Sequence, residues 1–193
     1  MTDTQPIKFV PPLKPKYSIA EAMTRLEENN ISKVFAVLGL RGFFADADSD
    51  VKNRIGVYDD AIFLVTPTLY LGFNANTDPS KERPGMATLN VGTWAYRLGI
   101  HGLSKPVEKQ YEALVQAKPV TVTRWPEKPG DAPKQDTGLF GINIHRGGYT
   151  TTGSEGCQTI HPDQWTLFIK SVKDEMMKHQ RTVIPYVLLD ARV

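Results

Sequence analysis

Apolar residues change their spacing twice along this chain, dividing it into a helix, a long β-rich stretch and a second helix. Ser18 and Glu21 form a capping-box pattern, after which Ile19, Ala22, Met23 and Leu26 share one helical face until Asn29 and Asn30 end the run. Short β-type runs follow at Val34 to Leu38, Ala61 to Thr66, Thr68 to Phe73, Met86 to Val91, Trp94 to Ile100, Val120 to Arg124, Phe140 to His145 and Val183 to Leu189. They are rich in Val, Ile, Tyr and Phe and are divided by Gly, Pro, Asn and Asp clusters, the pattern of strands joined by turns. Before the last of them the helical period returns. Pro162 suits a first turn, Asp163 favours the positive end of the dipole, and Trp165, Phe168, Ile169, Val172 and Met176 make one stripe. The pattern predicts an α+β fold, β-rich in the middle, with an N-terminal helix and a helix soon after Cys157.

Pro6, Pro11, Pro12 and Pro15 disfavour helix and sheet interiors, so an extended arm is expected over residues 1–17 and a single folded domain over 18–193. Trp125 to Gly138 holds Pro126, Pro129, Gly130 and Pro133 among several charges, which predicts a mobile surface loop. With 193 residues, a second independent core would be cramped.

The 23 basic and 21 acidic residues nearly balance, and no window gathers enough Lys and Arg to track a phosphate backbone, which argues against a nucleic-acid partner. Neither a secretory leader nor an apolar run of membrane-spanning length is seen, so the expectation is a soluble product made in the cytoplasm, without a membrane span. A single cysteine rules out an internal disulfide framework and a thiolate zinc cluster within one chain. Cys157 is then either a small buried hydrophobe or a nucleophile.

Its surroundings favour the nucleophile. A strand-like run ends at His145, and eleven residues, rich in Gly and Thr, separate it from Cys157, enough for a loop that returns the thiol to the imidazole. A neighbouring imidazole can accept the thiol proton, stabilise the thiolate as an ion pair, and later protonate an amine leaving group. Gly156 lets the backbone approach a substrate carbonyl, where the Cys157 amide N–H would help hold the oxyanion.

His145, the Gly and Thr loop, Ser154, Gly156 and Cys157 together resemble the signature of the YkuD-type L,D-transpeptidase family, in which Ser or Thr, His, Gly and Cys follow an upstream His. Gln158 to Asp163 is similar to the polar turn and helix start that follow that family's cysteine. The resemblance covers about Gly138 to Phe168. Glu155 stands where the family carries His, and the interval from His145 to Ser154 is several residues shorter than usual, so this would be a divergent member. What the resemblance implies is an L,D-transpeptidase-like catalytic domain whose Cys157 attacks a carbonyl of a peptidoglycan stem peptide and forms a thioester without any cofactor. The altered loop tilts the expected outcome from cross-linking toward hydrolysis. A small chain of this kind also resembles phage-encoded wall-active enzymes, acting at the periplasm or cell wall after release.

Around this catalytic set of Cys157, His145, Ser154 and Gly156, Arg146 suits a two-pronged contact with a stem-peptide carboxylate, with Arg41 as second choice. Tyr149, His101 and Gly147 complete the expected substrate-binding set. His161 is expected to cap the following helix. Asn74 to Pro79 reads as an Asx-type turn, with a substrate rim as the alternative, and Asp59 and Asp60 read as solvated turn residues. No metal is expected. A noncatalytic wall- or carbohydrate-binding module is the rival reading, and a metallopeptidase built on His101, His145 and a carboxylate such as Asp78 stands behind both.

Overall fold

A computed structural model describes residues 14–31, 34–44, 53–128 and 130–191. The fold is mixed α+β, mostly sheet, with two α-helices among the described residues. Most of the expected N-terminal arm, residues 1–13, lies outside the described residues; Tyr17 packs its ring against Phe43 and Phe63.

Helix α1 (Ile19–Glu28) starts at the capping box read from the sequence: the Glu21 N–H donates to Ser18 Oγ, and the Glu21 carboxylate accepts from the Ser18 N–H. Eight strands then close a barrel. In order around it they are β1 (Ala36–Arg41), β11 (Ile184–Asp190), β5 (Gly92–His101), β6 (Tyr111–Gln116), β9 (Ile144–Arg146), β10 (Gln158–Ile160), β3 (Tyr70–Asn76) and β2 (Asp60–Val65). A separate antiparallel sheet of β4 (Ala87–Leu89), β7 (Val120–Arg124) and β8 (Lys134–Gly138) stands beside it.

Alternation along β1 and β2 builds two cores from the same strands. Val37, Ile62 and Leu64 join the larger core with Phe73, Tyr96, Leu114 and the Trp165, Phe168, Val172 and Met176 stripe of α2 (Pro162–Lys178). Ala36, Leu38, Leu40, Ala61, Phe63 and Val65 point the other way and are covered by Ala22 and Leu26 of α1. Burying each Leu or Phe of this kind stabilises the fold by about 1.5–3 kcal/mol. A strand buried on both faces reads as a continuous apolar run, which is why Ala61 to Val65 shows no polar alternation.

Four expectations are corrected here. Lys134–Gly138, assigned to a mobile loop, is a strand held by five paired positions on β7. Tyr111–Gln116 and Gln158–Ile160 are barrel strands that apolar spacing did not reveal. Asp59 and Asp60 are fully buried rather than solvated, with Asp60 accepting from the Gly42 and Thr77 N–H groups at 2.6 and 2.5 Å. Asn74 to Pro79, read as a turn or a substrate rim, is buried at the end of β3 and just beyond it.

Candidate active site

Parallel pairing of β9 with β10 places His145 opposite Thr159 and Gln158 opposite Ile144. One residue earlier, Cys157 faces Asn143, whose N–H reaches the sulfur at 3.4 Å. Side chains two apart on a strand share a face, so Asn143 and His145 project to the side on which Cys157 and Thr159 lie. Cys157, His145 and His101 line one groove of about 1130 Å³. His101 enters it from the end of β5 and stacks on His145 with ring centroids 4.0 Å apart.

Local chemistry fixes the frame around the sulfur. β6 and β9 pair at only one position, Leu114 with Ile144, so the backbone before β9 needs other partners. Gln116 Oε1 accepts from the Phe140 and Ile142 N–H groups at 3.1 and 2.7 Å, and Tyr96 donates to the Ile142 carbonyl at 2.8 Å. The Gly141 carbonyl is thereby left facing the thiol, which donates to it at 3.3 Å.

The loop that leads to Cys157 is clamped from the other side. Ser154 Oγ accepts from the Gly156 N–H at 3.0 Å and donates to the Cys157 carbonyl at 2.7 Å, while the Ser154 N–H donates to Ser80 Oγ at 2.7 Å. Ser154 therefore positions the turn, and its hydroxyl is fully engaged there. Gly156 sits at φ +135°, and a Cβ there would lie 2.4 Å from the Ala87 carbonyl oxygen, so no other residue fits without displacing β4.

The imidazoles have defined roles. His145 Nδ1 lies 2.8 Å from the Arg146 carbonyl, so Nδ1 carries the proton and Nε2 the lone pair, and the Tyr111 hydroxyl lies 3.2 Å from the same Nδ1. The Asn143 amide donates to His101 Nδ1 at 3.2 Å, leaving the His101 proton on Nε2. Burial, reinforced by the neighbouring His101, holds His145 down at about 3. Burial likewise pushes the Cys157 thiol up to about 11, opposed by the Asn143 N–H and by Lys105. Among the described residues no hydrogen bond joins the sulfur to either imidazole. Burial thus favours a neutral thiol beside a neutral imidazole over the ion pair, because forming that pair would charge two groups in a site largely shielded from water.

The remaining candidates divide. His101 lines the groove, but Arg146, Gly147 and Tyr149 do not. Arg146 lies over the Tyr111 ring at 5.2 Å, the Gly147 N–H donates to the Ile160 carbonyl at 2.9 Å, and exposed Tyr149 donates to Asp163 of α2. Arg41 is consumed by Thr77, Asp78 and the Leu89 carbonyl. Asp78, proposed as a metal ligand, is held by Arg41 and Asn53, and no group of three or more His, Cys, Asp or Glu side chains among the described residues is placed to hold one ion. His161 does cap α2, accepting from the Asp163 N–H at 3.4 Å. Missed by the sequence reading are Asn143, Tyr111 and the groove cations Lys81, Arg83, Lys105 and Arg124. Asn143 lies between Ile142 and Ile144, a signal that was present, whereas Tyr111 opens a strand without apolar alternation and the cations come from three segments, Lys81 and Arg83 between β3 and β4, Lys105 after β5 and Arg124 at the end of β7.

No protein family, characterised protein or solved structure matches this chain. Among the described residues no helix is long and apolar enough to cross a membrane.

Proposed function

We propose that this protein is a cysteine-dependent acyl-transfer enzyme of L,D-transpeptidase type, acting on a peptidoglycan stem peptide and ending more often in hydrolysis than in cross-linking. The observation that carries this reading is the convergence of one thiol and two imidazoles on a single groove, with the thiol lying on a backbone N–H rather than in packed hydrocarbon. The resemblance of the His145 to Cys157 segment to that family supplies the substrate class.

With a neutral pair at rest, proton transfer accompanies attack instead of preceding it. A substrate carbonyl carbon approaches the sulfur, the thiol proton passes to His145 Nε2, and negative charge develops on the carbonyl oxygen. The Arg146 carbonyl and Tyr111 hydroxyl hold the ring and stabilise the imidazolium while it forms. Collapse of the tetrahedral adduct breaks the C–N bond, the leaving amine takes the proton from His145, and a Cys157 thioester remains. Water then attacks with His145 as base, releasing the acid and restoring the thiol. The loop between His145 and Ser154, shorter than in that family, reshapes the acceptor side of the groove, which favours water over a second stem amine.

Purified peptidoglycan digested with wild type and Cys157→Ala, with released muropeptides weighed by mass spectrometry, tests the reading. Cysteine-dependent products insensitive to chelator support it; identical digests from the two proteins refute it.

A further inference from the structure

The groove around Cys157 carries four cationic side chains, Lys81, Arg83, Lys105 and Arg124, against one carboxylate, Glu155. Two of the cations are matched. Arg83 pairs with Glu155 at 3.4 Å, and Arg124 donates to Asp136 at 2.9 Å while its guanidinium lies over the Phe140 ring. Lys81 and Lys105 make no ion pair among the described residues.

Lys105 bears most directly on the chemistry. The Lys105 N–H closes a turn onto the Gly102 carbonyl at 2.7 Å, immediately after His101, and a Cβ on Gly102 would lie 3.3 Å from Lys105 Cδ. Its stem therefore runs along the backbone that delivers His101 to the groove. Its charge acts on Cys157 and on both imidazoles beside it, opposing protonation of His101 and His145 and favouring the Cys157 thiolate.

We propose that the groove selects an acyl donor with a free carboxylate near the scissile bond, and that Lys105 receives that carboxylate. The inference rests on the Cys157 reading and replaces Arg146, which points elsewhere, as the carboxylate partner. Lys105 is exposed at the groove edge with no carboxylate paired to it among the described residues, so its ammonium is free to meet an anionic ligand, and a flexible stem lets it follow a carboxylate on either side of the bond. That carboxylate is the terminus of the leaving residue or an acidic side chain of the donor.

Alkylation of Cys157 by anionic iodoacetate and neutral iodoacetamide tests this without requiring turnover. At about pH 9 and low salt, the iodoacetate-to-iodoacetamide rate ratio is expected to fall about three- to tenfold in Lys105→Gln, to recover in Lys105→Arg, and to lose its dependence on residue 105 near 1 M salt. Circular dichroism confirms that the exposed substitution leaves the fold intact. A ratio unchanged by Lys105→Gln in a protein that reacts with iodoacetamide overturns this inference alone. Inertness toward both reagents overturns the nucleophile reading and this inference with it. In turnover, Lys105→Gln is expected to raise KM more than it lowers kcat, and amidating the terminal or the side-chain carboxylate identifies the one Lys105 reads. A KM insensitive to both amidations counts against it.

Discussion

A pH titration of Cys157 reactivity separates the neutral resting pair from a preformed thiolate. Burial pushes the thiol from 9 to about 11, so only about one molecule in ten thousand carries the thiolate at pH 7, against about one in a hundred for an unperturbed thiol. Iodoacetamide should therefore label Cys157 about a hundredfold more slowly than a small free thiol at that pH, and the rate should climb about tenfold per unit up to pH 10. His145, held down at about 3, stays neutral throughout this range and adds no second inflection. Replacing it in His145→Gln should leave the labelling profile nearly unchanged while abolishing turnover, because in the proposed reaction the imidazole acts as a base during attack and not as a resting counter-ion. Stopped labelling followed by intact-mass measurement reads the rates. A plateau with its midpoint below pH 7, or one that moves by more than a unit in His145→Gln, would refute the electrostatic argument and restore the ion pair.

Three further outcomes follow from particular contacts. Asp59 is fully buried with Oδ1 unpartnered among the described residues, and burial raises it to about 6, so its contribution is full below its unfolded value and is lost as pH rises through 6. Asp59→Asn should then stabilise the protein by up to about 3 kcal/mol at pH 7.5 and by little at pH 4, read from urea midpoints. Gly156→Ala forces a Cβ against the Ala87 carbonyl and should cost about 2–4 kcal/mol in urea unfolding, with loss of turnover. Ser154→Ala removes both hydrogen bonds that staple the turn and should cost about 1–3 kcal/mol, lowering kcat while the labelling profile of the thiol keeps its inflection.

Legibility in the sequence followed how far each element depends on its own residues. Helix α1 carries its own cap and stripe, and its observed span agrees with that reading. Strand β6 does not: Glu112, Ala113, Leu114 and Gln116 are helix formers, and the strand exists because six positions pair with β5. Strand β8 has no apolar residue, and β10 is three residues long, too short to show a period. At the site, Cys157, His145 and the Gly156 turn were readable because they are close in sequence. Lys105 and Arg124 were not, since Lys105 follows barrel strand β5 while Arg124 ends β7 of the separate sheet, and only the folded chain brings those segments to the same groove. The neutral resting pair could not be read either, because it depends on how much water reaches two atoms.

The Ser80 clamp couples distant parts of the molecule. Arg41 on β1 grips Thr77 and Asp78, and two residues farther on Ser80 fastens the loop that ends at the sulfur. Damage at the far end of that tether would strip Asp78 of its cation and slacken the segment that aims the sulfur, so under the proposed function a lesion at Arg41 would lower stability and turnover together.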